Sequence, residues 1–219
     1  MYHHAKLHFK KVDPILYEAA QLHDIADIRR SRDVFRDIVH AIVNQQLSGK
    51  AAETIFRRLE EKVKVKTAIT PAGIATLSIP ALRACGLSNA KARTIKALAR
   101  AVLHKDTIKD AKKNAKQNKK LDLATIHTHP DEKVIELLTS IKGIGPWTAE
   151  MILMSSLGRT DIFSKGDLGL KKGIMHLYGL SELPSDRLMD KLSRAWSPYR
   201  TYAARVLWRV ADGRKDNKK

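Results

Sequence analysis

Apolar residues recur at helical intervals along most of the chain. Val34, Phe35, Ile38 and Ile42 fall on one face of a helix, with Ser31 as its candidate N-cap. Ala51, Ala52, Ile55, Phe56 and Leu59 repeat the pattern. Thr70-Pro71 reads as a cap followed by a first-turn proline, and Gly86 ends the next short segment. Ser88 caps a predicted helix carrying Ala92, Ile95, Leu98, Ala99 and Val102. Val134, Leu137, Leu138 and Ile141 form a further stripe, as do Ala149, Ile152 and Leu153, and finally Val206, Leu207 and Val210. Only Val63 to Lys66 alternates like a strand, and it is short. The expected fold is all-α.

One stretch departs from this pattern. Lys105 to Lys120 is rich in Lys, Asn, Asp and Gln, and reads as a solvated helix or linker, with a DNA-contacting arm as the alternative. The expected layout is a single domain over residues 1–213, followed by a basic tail at 214–219. Within it, one helical subdomain covers about residues 30–130. A second combines the N-terminal segment with about residues 131–213.

Charge changes the picture most. The formal net charge is +18 and the pI is near 10.1, a balance that favours polyanionic partners. Nucleic acid is the first candidate, since Lys and Arg that neutralise phosphates release counterions. An anionic membrane surface is the rival. No apolar run reaches the ~18 residues of a spanning helix, and the start of the chain lacks a signal-peptide core, so an intracellular monomer is expected. Cys85 is the only cysteine, which excludes an intrachain disulfide and any four-cysteine zinc or iron–sulfur site.

Two segments carry candidate chemistry. Between two apolar stretches, Ile141-Lys142-Gly143-Ile144-Gly145-Pro146-Trp147-Thr148 places two glycines in a very short turn before a first-turn proline. Backbone amides at such a helix start form an anion site, to which Lys142 and the Thr148 hydroxyl would add. An ordinary helix connection fits the same residues. Downstream, Gly166-Asp167 precedes an apolar stretch. That pair suits a helix cap as well as a catalytic carboxylate.

Leu138 to Ala149 resembles the helix-hairpin-helix of base-excision DNA glycosylases, and Asp161 to Leu170 resembles the loop carrying that family's aspartate. Ile42-Val43-Asn44-Gln45-Gln46-Leu47-Ser48 is similar to its DNA-wedge segment, and Trp196 to Ala203 with Trp208 to its last helix. The resemblance runs from about Lys10 to Trp208 and is strongest to the DNA-3-methyladenine glycosylases.

The resemblance implies two helical subdomains with a cleft between them, and excision of alkylated purines from flipped-out nucleotides in double-stranded DNA. Asp167 would be the catalytic carboxylate, stabilising positive charge on the sugar and orienting a water. Gln46, Leu47 and Ser48 would form the wedge, with Leu47 entering the base stack; a buried core leucine is the alternative. Lys142, Gly143, Gly145 and Thr148 would grip phosphate. Trp147, Met151 and Trp208 would line the base pocket, where indole faces attract a cationic base; core aromatics are the alternative.

Related glycosylase-lyases carry a Schiff-base lysine at the position of Trp147, so a monofunctional enzyme with water as nucleophile is implied. Lys165 lies two residues before Asp167, where an ammonium would favour the ionised carboxylate or itself act as an amine nucleophile. No cofactor is expected to be required. A structural Na+ or K+ is implied at the backbone carbonyls of Thr139, Ile141 and Ile144. A glycosylase for a deaminated or oxidised base, and a non-catalytic helix-hairpin-helix DNA-binding protein, remain as alternatives.

Overall fold

A computed structural model describes residues 1–47, 49–63, 69–103 and 121–213. Ser48, the expected strand beyond Val63, the Lys105–Lys120 segment and the 214–219 tail lie outside them. The described residues form twelve α-helices, one short 3₁₀ turn and no strand. In chain order the helices are α1 (Tyr2–Val12), α2 (Pro14–Leu22), α3 (Val34–Asn44), α4 (Gly49–Lys62), α5 (Pro71–Thr76) and α6 (Ile79–Ala84). Then follow α7 (Asn89–Leu103), α8 (Asp131–Thr139), α9 (Pro146–Ser155), α10 (Leu168–Leu177), α11 (Asp186–Ala195) and α12 (Arg200–Gly213). None is long and apolar enough to cross a membrane.

Most helix starts have a local cause. The Thr70 hydroxyl accepts from Gly73 N ahead of Pro71, and Ser88 Oγ accepts from Lys91 N. At α3 the cap is Asp33, whose carboxylate accepts from Arg36 N, and not Ser31. Ser31 lies two residues too early; its hydroxyl accepts from Asp33 N and holds the capping residue instead. Ser31 and Asp33 offer rival caps two positions apart, and the one adjoining the first helical residue takes the role.

The chain divides into two compact units. The inner unit is Ser31–Ile152, and the terminal unit joins Met1–Arg30 to the residues from Leu153 onward. In the inner unit, α3 packs on α4 and α7, and α5 and α6 pack on α7. Its core holds Phe35, Ile38, Ile42, Phe56, Leu59, Ile95 and Leu98. In the terminal unit, α10 packs on α12, and α2 packs on α1, α10 and α12 around Phe9, Leu16, Ile174, Trp196 and Tyr202. The inner unit extends to Ile152 and so includes the hairpin, whereas the sequence suggested a boundary near 130. Hydrogen bonds from Gln45 and Thr94 to the hairpin, described next, are the physical reason.

Candidate active site

In the inner unit, the chain between α8 and α9 makes the short turn that the two glycines suggested. Gly143 has a φ of 96°, a left-handed conformation that L side chains rarely adopt. A Cβ there would also stand 2.0 Å from Thr94 Oγ1. Gly145 differs: it is outside the left-handed region, and the space a side chain would fill is open. The start of α9 follows at once, where the first amides have no helical acceptor. Lys142 is exposed at the tip, and its carbonyl accepts from Thr94 Oγ1 at 3.1 Å. Thr148 is only 2% exposed, and its hydroxyl accepts from Gln45 Nε2 at 2.9 Å. Its side chain thus ties the hairpin to the neighbouring turn.

That neighbouring turn follows α3. Gln46 is the one non-glycine residue with positive φ among the described residues, at 56°. Leu47, immediately after it, is 40% exposed, which separates it from the core leucines. Gln45 Nε2 also reaches Gly143 O at 3.4 Å. Lys91 Nζ donates to Val43 O at 2.9 Å and Gln45 O at 2.5 Å, satisfying carbonyls at the C-terminus of α3. Gln45, Lys91 and Thr94 were invisible as site residues in the sequence. Their bonds span 103, 46 and 48 positions, and no local pattern announces them.

In the terminal unit, Asp167 is the N-cap of α10 and is 8% exposed. Its Oδ1 accepts from Leu170 N at 2.7 Å and from Trp208 Nε1 at 2.9 Å. The cap and the candidate catalytic group are thus one residue. Gly169 makes room for the indole: a Cβ there would lie 3.0 Å from both Asp167 Oδ1 and Trp208 Cδ1. The loop leading to Asp167 is pinned to the start of α12. Asp161 pairs with Arg200, with Oδ1 to Nε at 2.7 Å, and accepts from Ser197 Oγ at 2.8 Å. Burial alone would raise the Asp161 pKa, but the hydrogen bonds from Arg200 and Ser197 outweigh it and the net shift is downward. Thr201 Oγ1 adds a bond to Arg159 O and accepts from Ile162 N.

Lys165, expected near the Asp167 carboxylate, has an ion-pair partner on another helix. Its Nζ lies 2.9 Å from Asp190 Oδ1 on α11. The three expected pocket residues are all half-buried: Trp147 in the first turn and Met151 in the middle of α9 in the inner unit, Trp208 on α12 in the terminal unit. The third tryptophan, Trp196, is fully buried.

Comparison with known proteins gives this arrangement a lineage. The model of the HhH-GPD superfamily base excision DNA repair proteins matches residues 39–198. DNA-3-methyladenine glycosylase 1 of Schizosaccharomyces pombe is 33% identical over 180 residues, covering 82% of this chain and 73% of the relative. The Saccharomyces cerevisiae DNA-3-methyladenine glycosylase is 31% identical, covering 84% of this chain and 69% of the relative. Among solved structures, the S. pombe 3-methyladenine DNA glycosylase in complex with abasic DNA superposes with a TM-score of 0.78 at 30% identity, covering 94% of this chain and 95% of that one. A Bacillus halodurans DNA-3-methyladenine glycosidase gives 0.74 at 33%, covering 95% and 89%. The chain belongs to the HhH-GPD superfamily of base excision DNA repair proteins.

Proposed function

We propose that this protein is a monofunctional DNA glycosylase, which hydrolyses the N-glycosidic bond of alkylated purines such as 3-methyladenine and 7-methylguanine in double-stranded DNA, leaving an abasic site. The observation that carries the reading is the Asp167 carboxylate, held at the start of α10 by Leu170 N and Trp208 Nε1. A carboxylate fixed in this way stabilises a developing oxocarbenium ion without reorganising as charge builds. A purine alkylated on a ring nitrogen already carries positive charge and departs as a neutral base. One carboxylate then suffices, and water completes the displacement at the anomeric carbon.

Trp147 occupies the hairpin position at which related glycosylase-lyases carry their lysine, which supports water as nucleophile. The half-buried indoles of Trp147 and Trp208 suit a cationic base, a preference worth roughly 0.5–2 kcal/mol. The exposed Leu47 suits the role of wedge, with Gln46 and Ser48 flanking it. The phosphate grip falls to Lys142, Gly143, Gly145 and the first amides of α9.

The carbonyls of Thr139, Ile141 and Ile144 offer hard oxygen donors to a Na+ or K+ ion that would stiffen the hairpin. Ile141 O already accepts from Ile144 N at 3.0 Å and keeps a second lone pair for a cation.

The deciding experiment is a lesion panel, with released bases identified by chromatography. Release of methylated purines in preference to deaminated or oxidised bases is expected. Binding to abasic duplex without release of any base would overturn the reading and leave a DNA-binding protein.

A further inference from the structure

We infer that Lys91 and Gln45 are positioning residues that lock the Gln45–Leu47 turn to the hairpin, so that the wedge is set in place when the hairpin grips the DNA backbone. The inference rests on reading Leu47 as the wedge.

Four observations converge. Gln46 holds a left-handed conformation without being glycine, and such a residue persists only where its surroundings over-determine it. Lys91 supplies that constraint from one side through Val43 O and Gln45 O. An ammonium at the C-terminal end of α3 also meets the negative end of the helix dipole. Gln45 supplies it from the other side, reaching Thr148 Oγ1 at 2.9 Å and Gly143 O at 3.4 Å. Finally, Thr94, three positions after Lys91 on the same face of α7, holds Lys142 O at the hairpin tip. One face of α7 therefore grips both turns. Burial lowers the pKa of Lys91 from the usual lysine range, in keeping with an ammonium spent on carbonyls rather than on solvent.

The consequence is mechanical. Inserting a side chain into a base stack means unstacking a step of the duplex. A turn that had to be ordered at the same moment would add its own conformational entropy to that cost. Holding residues 45–47 in advance removes this addition and fixes the distance between the phosphate grip and the wedge.

The test separates gripping from flipping. Lys91→Met keeps the apolar stem and loses both hydrogen bonds; Lys91→Arg keeps a cationic donor. The readouts are 2-aminopurine fluorescence beside a tetrahydrofuran abasic analogue, single-turnover release of 7-methylguanine, and affinity for undamaged duplex. Lys91→Met is expected to lower fluorescence gain and excision about 10-fold, the order expected for a lost charged hydrogen bond, and to hold undamaged-duplex affinity within about 2-fold. Lys91→Arg restores most of both.

Wild-type fluorescence in Lys91→Met would overturn the inference, as would parallel loss of undamaged-duplex affinity. If thermal melting shows that Lys91→Met does not fold, Gln45→Leu must give the same split, because it cuts only the bridge to the hairpin. Leu47→Ala controls for the wedge itself. If Leu47→Ala abolishes the signal and the Lys91 and Gln45 variants do not, the lock alone falls. If Leu47→Ala leaves the signal intact, the wedge reading falls with it.

Discussion

The terminal unit contains two aspartates built alike, of which one is the proposed catalytic group. Asp13 and Asp167 are each 8% exposed, each caps a helix by accepting the amide three residues on, and each accepts a tryptophan indole N–H. In Asp13 these bonds fall on different oxygens: Oδ1 takes Leu16 N at 3.0 Å, and Oδ2 takes Trp196 Nε1 at 2.8 Å together with the Tyr178 hydroxyl. In Asp167 the amide and the indole converge on Oδ1. The surroundings differ as well. Trp196 is fully buried, and burial with the Asp13 bond pushes the Tyr178 hydroxyl well above its ordinary range. At Asp167 the indole is only half-buried, whereas the flanking chain is alike at the two sites: Leu168 is 53% exposed beside Asp167 and Ile15 51% exposed near Asp13. A cap–carboxylate–indole node is thus a general way to fix an aspartate. What differs between the two is the indole, fully buried at Asp13 and half-buried at Asp167.

The largest expected effect breaks that pair apart. Asp167→Asn keeps a capping oxygen and loses the charge, so stability should barely change. Single-turnover excision should fall about a thousandfold, equivalent to about 4 kcal/mol. Excision of methylated purines near the wild-type rate would show that Asp167 is only a cap, like its counterpart.

The reciprocal change is Asp13→Ala. It strands the amide of Leu16, the indole of Trp196 and the hydroxyl of Tyr178 in a buried site, a loss of about 3 kcal/mol. In a chain of this size the melting temperature should drop by about 10 °C, with excision per folded molecule unchanged. A rate defect without a stability defect would place Asp13 in the chemistry.

The sequence made one of these aspartates conspicuous and left the other silent, for a physical reason. Asp167 stands in a string whose spacing to the hairpin is itself a signal, whereas Asp13-Pro14 is one more cap before a first-turn proline. Helix faces were legible from periodicity because burial repeats with the helical turn: Ile38, Ile42, Ile95 and Leu98 are all fully buried. The tight hairpin was legible because Gly143 must be glycine. What escaped were bonds between distant segments, such as Gln45 to Thr148 and Trp208 to Asp167, 41 positions apart. These tie the Thr148 hydroxyl to the neighbouring turn and the Trp208 indole to the carboxylate, and they arise from packing rather than from local pattern. The partner of Lys165 escaped for the same reason, since Asp190 lies on another helix.

A smaller effect tests the indoles. Trp208→Phe keeps an aromatic face and deletes the N–H that Asp167 Oδ1 accepts, so excision should fall about 10-fold, the order of one hydrogen bond to a charged group. Trp196→Phe deletes the matching bond to Asp13 and should lower stability while leaving the excision rate intact. If Trp208→Phe changed KM alone, its indole would act on the base and not through the carboxylate.

The smallest expected effect concerns Lys165, whose ammonium pairs with Asp190. Its ion pair with Asp190 joins two side chains that are 50% and 40% exposed, and pairs of that kind contribute little, at most about 1 kcal/mol. Lys165→Ala should leave excision within about 2-fold of wild type. An amine that attacked the sugar would behave otherwise, because its imine is reducible and leaves the protein covalently joined to DNA. Borohydride added during turnover should therefore trap no adduct with the wild-type protein. An adduct that vanished in Lys165→Ala would transfer the nucleophile from water to this lysine, and would reduce Asp167 to stabilising the charge it creates.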